Sequence, residues 1–189
     1  MLYFTSDQHF FHKNIIKYCN RPFIDINNMN TEIIRRYNHI ISDEDTVIHI
    51  GDISAGLKGR YDELTSIIKK LNGSKHLILG NHDHLSIDKY IEMGFETVKN
   101  YMEYEDYFIN HYPLIENTKY TTSEELKLNE IFKKTKCNKI IHGHSHNIDF
   151  GYNRFNVCVD LNNFLPVSIE DIKTEMSNIE IRTEKNILG

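Results

Sequence analysis

Five short blocks of this chain gather residue types that bind metal ions. They are Asp7-Gln8-His9, Gly51-Asp52, Gly80-Asn81-His82-Asp83, His111, and Gly143-His144-Ser145-His146. Asp7, His9, Asp52, Asn81, His111, His144 and His146 together offer oxygen and nitrogen donors and no thiolate. Such a set suits Mn, Fe, Zn, Ni or Co in a reactive site better than a closed structural zinc site. Seven protein ligands exceed what one ion needs beside a substrate, so two ions sharing a carboxylate fit better. Asp7-x-His9 and His144-x-His146 have the same spacing. In an extended segment alternate residues point to one side, so each pair can reach one ion or two neighbouring ions. Histidine is also in excess, at 11 of 189 residues, and it is the commonest metal ligand.

Something must bring these blocks together. Each one closes an apolar run: residues 2–5, 45–50, 76–79, 107–110 and 139–141 all read as strands. In α/β sheets the carboxyl ends of strands line one crevice, where side chains distant in sequence converge. Glycine before Asp52, Asn81 and His144 lets the backbone turn sharply on leaving a strand. Between the strands, apolar spacing predicts helices near 12–19, 29–41, 60–71 and 87–93. A capping box at Thr122-Ser123-Glu124-Glu125 starts another, running to about residue 134. Residues 96–103 and 155–159 read as single strands, 167–171 opens a last element, and the Asn-rich stretch 26–30 reads as a turn or cap. The alternation of strand and helix argues an α/β fold in one domain, 1–189.

Composition narrows the function. The net charge is −5 and no basic stripe is present, which argues against general nucleic-acid binding. Short substrates stay within reach, because a local metal charge can outweigh the overall sign. Cys19, Cys137 and Cys158 are scattered without a CxxC pair and read as reduced thiols. No run approaches the ~18 apolar residues of a membrane span. The N-terminus lacks a basic region and cleavage site, so it reads as the first strand. A cytoplasmic location is the expectation, in the host cytoplasm if the chain is phage-encoded.

The order Asp-x-His, Gly-Asp, Gly-Asn-His-Asp, His, Gly-His-x-His resembles that of the calcineurin-like metallophosphoesterase family, from Asp7 to His146. The stretch from Thr5 to Ile16, with Arg21-Pro22-Phe23, His111-Tyr112-Pro113-Leu114 and Pro166-Val167-Ser168, is similar to small members from phages and bacteria. The resemblance implies a four-layer α-β-β-α sandwich of two packed sheets with flanking helices. It implies one metal held by Asp7, His9, Asp52 and His146, and a second held by Asp52, Asn81, His111 and His144. Asp52 would bridge, and Mn²⁺ is the expected ion. His82 would sit beside the substrate without binding metal, oriented by Asp83, while a hydroxide bridging the ions attacks phosphorus. Two divalent ions less two carboxylates leave roughly +2 at the site, which draws an anionic phosphate. One departure is visible: where the family often has Gly-Asp-x-x-Asp or Gly-Asp-x-x-Asn, this chain reads Gly51-Asp52-Ile53-Ser54-Ala55.

Other residues carry weaker signals. His12 and His84 lie near the motifs and are candidates for substrate contact, as is Arg21, a potential phosphate clamp. Tyr112, beside His111, is a candidate for substrate stacking. His142 reads as packing, and His39, His49 and His76 as structural. Three competing readings fall short. A helical HD-type phosphohydrolase needs helix around His82-Asp83, where a strand and Gly80 precede the motif. A metallo-β-lactamase-like hydrolase needs His-x-His-x-Asp-His, which neither His82–Ser86 nor His144–Ile148 provides. A degraded, non-enzymatic scaffold does not fit an intact ligand set. The short spacings between motifs leave no room for a cap domain. The reading is a phosphodiesterase on a cyclic nucleotide or other small nucleotide. Its alternative is a phosphomonoesterase on small substrates or nucleic-acid ends. A homodimer is compatible with the family.

Overall fold

The computed structural model describes residues 1–55, 59–115 and 121–188, and among these the apolar runs form two sheets. The first holds, in order, β4 (Thr97–Lys99), β3 (Ser74–Ile78), β2 (Thr46–Ile50), β1 (Leu2–Thr5) and β9 (Val167–Ser168). β1 to β4 are parallel, and β9 adds antiparallel to β1. The second sheet holds β5 (Tyr101–Tyr104), β6 (Tyr107–Asn110), β7 (Lys139–His142) and β8 (Arg154–Asn156), with the last three parallel. The helices are α1 (Ile15–Tyr18), α2 (Ile26–Ile40), α3 (Tyr61–Lys70), α4 (Ile87–Met93), α5 (Ser123–Phe132) and α6 (Ile169–Leu188).

The period of two along each strand sorts side chains into layers. Val47 and Leu77 point to one side of the first sheet, against Ile33 and Tyr37 of α2, Leu64 and Ile68 of α3, and Tyr90 of α4. Phe4, Ile48, Ile50 and Ile78 point the other way, onto Tyr107, Ile109 and Ile141 of the second sheet. Phe108 and Ile140, the alternate residues of β6 and β7, turn outward onto Leu128 of α5. The order is therefore helix, sheet, sheet, helix, as expected. Ile169, Ile172 and Met176 of α6 join the layer between the sheets. Fully burying each of these large apolar side chains is worth about 1.5–3 kcal/mol, so the middle layer fixes how the sheets meet.

Three local expectations are corrected. The Asn-rich stretch is the first turn of α2, because the Asp25 side chain caps it, accepting a hydrogen bond from Asn28 N at 2.8 Å. Residues 96–103 are two strands, β4 in one sheet and β5 in the other, and the chain changes sheets at Asn100. The run 155–159 leaves β8 early to bind both sheets. Val157 N donates to His142 O at 2.8 Å, and Val159 N donates to Ser6 O at 3.2 Å. The helix starting at Thr122 is capped as expected, with the Thr122 side chain accepting from Glu125 N at 3.1 Å. His49 is structural, stacked on Tyr37 in the core, where burial pushes its pKa down to about 3 and keeps it neutral.

Candidate active site

The parallel strands β1, β2 and β3 of one sheet and β6 and β7 of the other deliver their carboxyl ends to one edge. Backbone hydrogen bonds stitch the loops there: Asp7 N to Gly51 O at 3.0 Å, His9 N to Asp52 O at 3.0 Å, and Gly143 N to His111 O at 3.1 Å. Asp7, His9, Asp52 and His144 all adopt left-handed backbone, with φ of 59°, 52°, 55° and 67°. Each such residue costs roughly 1–3 kcal/mol and persists only where its surroundings enforce it. Four of the eleven described non-glycine residues with positive φ are thus residues with metal-binding side chains at this edge. Close approach explains Gly143, where a Cβ would collide with Ser6 Oγ and Asp7 Oδ2.

The donor atoms fall into two groups. In the first, His9 Nε2 and His146 Nε2 lie 3.2 Å apart, and Asp7 Oδ1 lies 4.0 and 3.8 Å from them. In the second, Asn81 Oδ1 is 3.1 Å from His111 Nε2 and 2.9 Å from His144 Nδ1, while the two nitrogens are 3.3 Å apart. Asp52 Oδ2 stands between the groups, 3.5 Å from His9 Nε2 and 3.6 Å from His111 Nε2. All seven expected ligand residues thus present an atom to one of two foci or to the point between them.

The chemistry of these donors fits cations. Asp7 Oδ2 accepts from Ser6 Oγ at 2.6 Å and His144 N at 3.0 Å, whereas Asp7 Oδ1 is buried with no hydrogen-bond partner. A buried carboxylate oxygen left bare is costly unless a positive charge faces it. His111 Nδ1 donates to Ile50 O at 2.8 Å, which turns the Nε2 lone pair toward the site. Burial holds His9 well below its ordinary pKa and, with His111 nearby, pushes His144 down to about 4. Both rings stay neutral, the state in which imidazole binds metal.

His146 behaves differently and reveals a residue that the sequence reading missed. Burial works to lower its pKa, but the hydrogen bond to Asp160 and the charge of Asp7 outweigh it and push the value up to about 10. His146 Nδ1 donates to Asp160 Oδ2 at 2.6 Å. Arg21 in turn grips both oxygens of Asp160, Nε to Oδ1 at 2.8 Å and Nη2 to Oδ2 at 2.7 Å. The chain Arg21–Asp160–His146 fixes the imidazole with Nε2 aimed at the first focus. Asp160 shows the same signal as the ligands, a carboxylate closing an apolar run, here Val157-Cys158-Val159. We expect Asp160→Asn to weaken divalent-metal binding about 10- to 100-fold, the usual cost of losing such support. Calorimetric titration with Mn²⁺ measures this, and unchanged affinity would show that His146 needs no brace.

Several expected contacts are corrected. Arg21 is no phosphate clamp: its side chain has 0% exposure, and its remaining donors go to Asp7 O at 2.8 Å and Gln8 O at 2.9 Å. Tyr112 is 2% exposed, packed 5.1 Å from both the His111 and His144 rings, so it backs the ligands instead of facing a substrate. Asp83 does not orient the His82 side chain. Its carboxylate accepts from Asp52 N at 2.7 Å, Gly80 N at 2.9 Å and Ile53 N at 3.2 Å, binding two ligand loops together. Burial and the nearby Asp52 push its pKa up to about 7. His82 itself is 43% exposed, with Nε2 4.0 Å from Asp52 Oδ2. Its ring stands 5.2 Å edge-on to His9, with His12 6.3 Å away. His84 is exposed and makes no hydrogen bond or ring contact with the described residues. His142 is buried, with Nδ1 facing Gly143 O at 2.8 Å. At the divergent Ala55 the backbone serves, its N donating to Phe10 O at 3.2 Å.

Comparison with known proteins identifies the family. The calcineurin-like phosphoesterase superfamily domain matches residues 2–159. Uncharacterized protein MJ1445 of Methanocaldococcus jannaschii is 32% identical over 177 residues, covering 89% of this chain and 87% of its own. Gene 66 protein of Mycobacterium phage L5 is 28% identical over 166 residues, covering 76% of each chain. The crystal structure of AQ665 from Aquifex aeolicus, described as a protein of unknown function, superposes with a TM-score of 0.74 at 27% identity. It covers 92% of this chain and 98% of that one. Among the described residues, no helix is long and apolar enough to cross a membrane.

Proposed function

The chain belongs to the calcineurin-like phosphoesterase superfamily, whose members hydrolyse phosphoesters with divalent metal ions, and on that premise we propose that it is a binuclear phosphodiesterase acting on a small nucleotide. The observation that carries the binuclear reading is the place of Asp52 Oδ2, within 3.6 Å of a nitrogen from each donor group. Asp7, His9, Asp52 and His146 would hold one ion, and Asp52, Asn81, His111 and His144 the other. When bound, such ions neutralise phosphoryl oxygens and lower the pKa of water enough to make a nucleophile near neutral pH. The oxygen and nitrogen donors accept Mn, Fe, Zn, Ni or Co, and Mn²⁺ is the ion proposed.

The chain's own residues do the remaining work. Asp83 and Arg21 hold the ligand loops so that the donors meet without rearrangement. His82 is the exposed imidazole beside Asp52, placed to give a proton to the leaving oxygen or to steady charge growing on it. The diester preference rests on charge. Among the described residues, the arginine that hydrogen-bonds the Asp7–Gln8 loop is buried and already paired with Asp160, so it is not free to take up the extra negative charge of a monoester. A screen of bis-p-nitrophenyl phosphate against p-nitrophenyl phosphate, with Mn²⁺, Ni²⁺ or Zn²⁺, should show faster diester hydrolysis. A strong monoester preference would overturn the choice of substrate class.

A further inference from the structure

A cleft of about 590 Å³ opens directly beside the donor cluster, between the end of α1 and the loop that follows β7. His144 and His146 form part of its wall, so whatever occupies it touches the same residues that face the scissile phosphate. Its volume falls in the ~300–1,000 Å³ range of small-molecule sites. Tyr18 lines it and is 73% exposed, an unusual fate for so large a ring, and Ile148, which also lines it, is 48% exposed. The Tyr18 ring meets His12 edge-on at 6.2 Å, and His12 lies 5.4 Å from His9. The tyrosine therefore stands at the rim of the first focus and not on a remote surface.

Resting on the phosphodiesterase reading, we infer that this cleft is a nucleobase subsite with Tyr18 as its stacking face. Its lining includes no Lys, Arg, Asp or Glu, which argues for a neutral group and against a second phosphate. Asn20, Ser145 and Asn147 line it with side chains that make no hydrogen bond to the described residues. Each offers both a donor and an acceptor. A flat aromatic face, an apolar partner and mixed polar edges match a planar heterocycle. The phosphate would lie on the ligand cluster and the base attached to it would enter the cleft.

The test compares Tyr18→Ala and Tyr18→Phe with the parent chain, all loaded with Mn²⁺. Calorimetry gives Kd for adenosine 5′-monophosphate and for inorganic phosphate, alongside metal content. Base stacking is worth ~1–3 kcal/mol, so Tyr18→Ala should weaken nucleotide binding about 5- to 150-fold. Tyr18→Phe should keep it, and phosphate affinity and metal content should not move. The subsite is overturned if the parent binds the nucleotide no more tightly than phosphate. It is also overturned if Tyr18→Ala weakens both ligands equally or neither. Because binding is the readout, a chain that fails to cleave diesters yet loses nucleotide affinity selectively would sink only the diester reading.

Discussion

Replacing Asp52 with Asn should strip the metal-loaded protein of its ions and cut kcat/KM by more than the ~10²–10³-fold that losing one charge-stabilising donor costs. The change removes no volume, so its effect is one of charge and lone pairs. Asp52 Oδ1 already accepts from His82 N at 2.8 Å, and an amide oxygen can keep that bond. The other position then becomes an NH₂ group facing His9 Nε2 and His111 Nε2, where the carboxylate oxygen stood 3.5 and 3.6 Å away. A donor cannot bind a cation, and without Asp52 the first focus keeps only the charge of Asp7 and the second keeps no carboxylate. Metal analysis should fall from two equivalents toward none, while circular dichroism stays that of a folded chain. Retention of two equivalents with near-parental rates would falsify the bridging role.

How much of this was legible in advance depends on what each residue answers to. The layers follow from local alternation, which is why β1, β2, β3, β6 and β7 were readable. The change of sheet at Asn100 was harder to see, because no Gly or Pro separates β4 from β5. The donors were legible as types at strand ends, since only a few side chains bind metal and the fold gathers strand ends. Residues that serve the donors were not. Arg21 looks like a surface residue until its partner Asp160, 139 positions away, is placed against it. Tyr112 was misjudged for a reason the sequence did contain. It follows His111 directly, and in extended backbone neighbours point to opposite sides. A ligand facing the cleft therefore sends the next residue into the layer under α5, where Tyr112 joins Phe108 and Leu128. Asp83 follows a histidine and suggests a His-Asp pair, yet its carboxylate satisfies three backbone N–H groups instead.

Those three hydrogen bonds sharpen the second prediction, that His82→Ala should keep both metal equivalents yet slow turnover by about 10²–10⁴-fold. The loop does not depend on the imidazole. Its backbone is held by Asp83 and by His82 N donating to Asp52 Oδ1, and alanine preserves both. What alanine removes is the exposed ring whose Nε2 lies 4.0 Å from Asp52 Oδ2, on the open side of the donor cluster. If that ring supplies a proton, the loss should grow with the basicity of the leaving group. A p-nitrophenolate leaves well unaided, so p-nitrophenyl diesters should suffer least and nucleoside diesters, which release an alkoxide, most. Equal losses on both would assign His82 to stabilising phosphoryl charge instead of protonating the leaving oxygen. Undiminished turnover on every ester would remove it from the chemistry altogether. Steady-state rates across a series of leaving groups, normalised to measured metal content, separate the three outcomes.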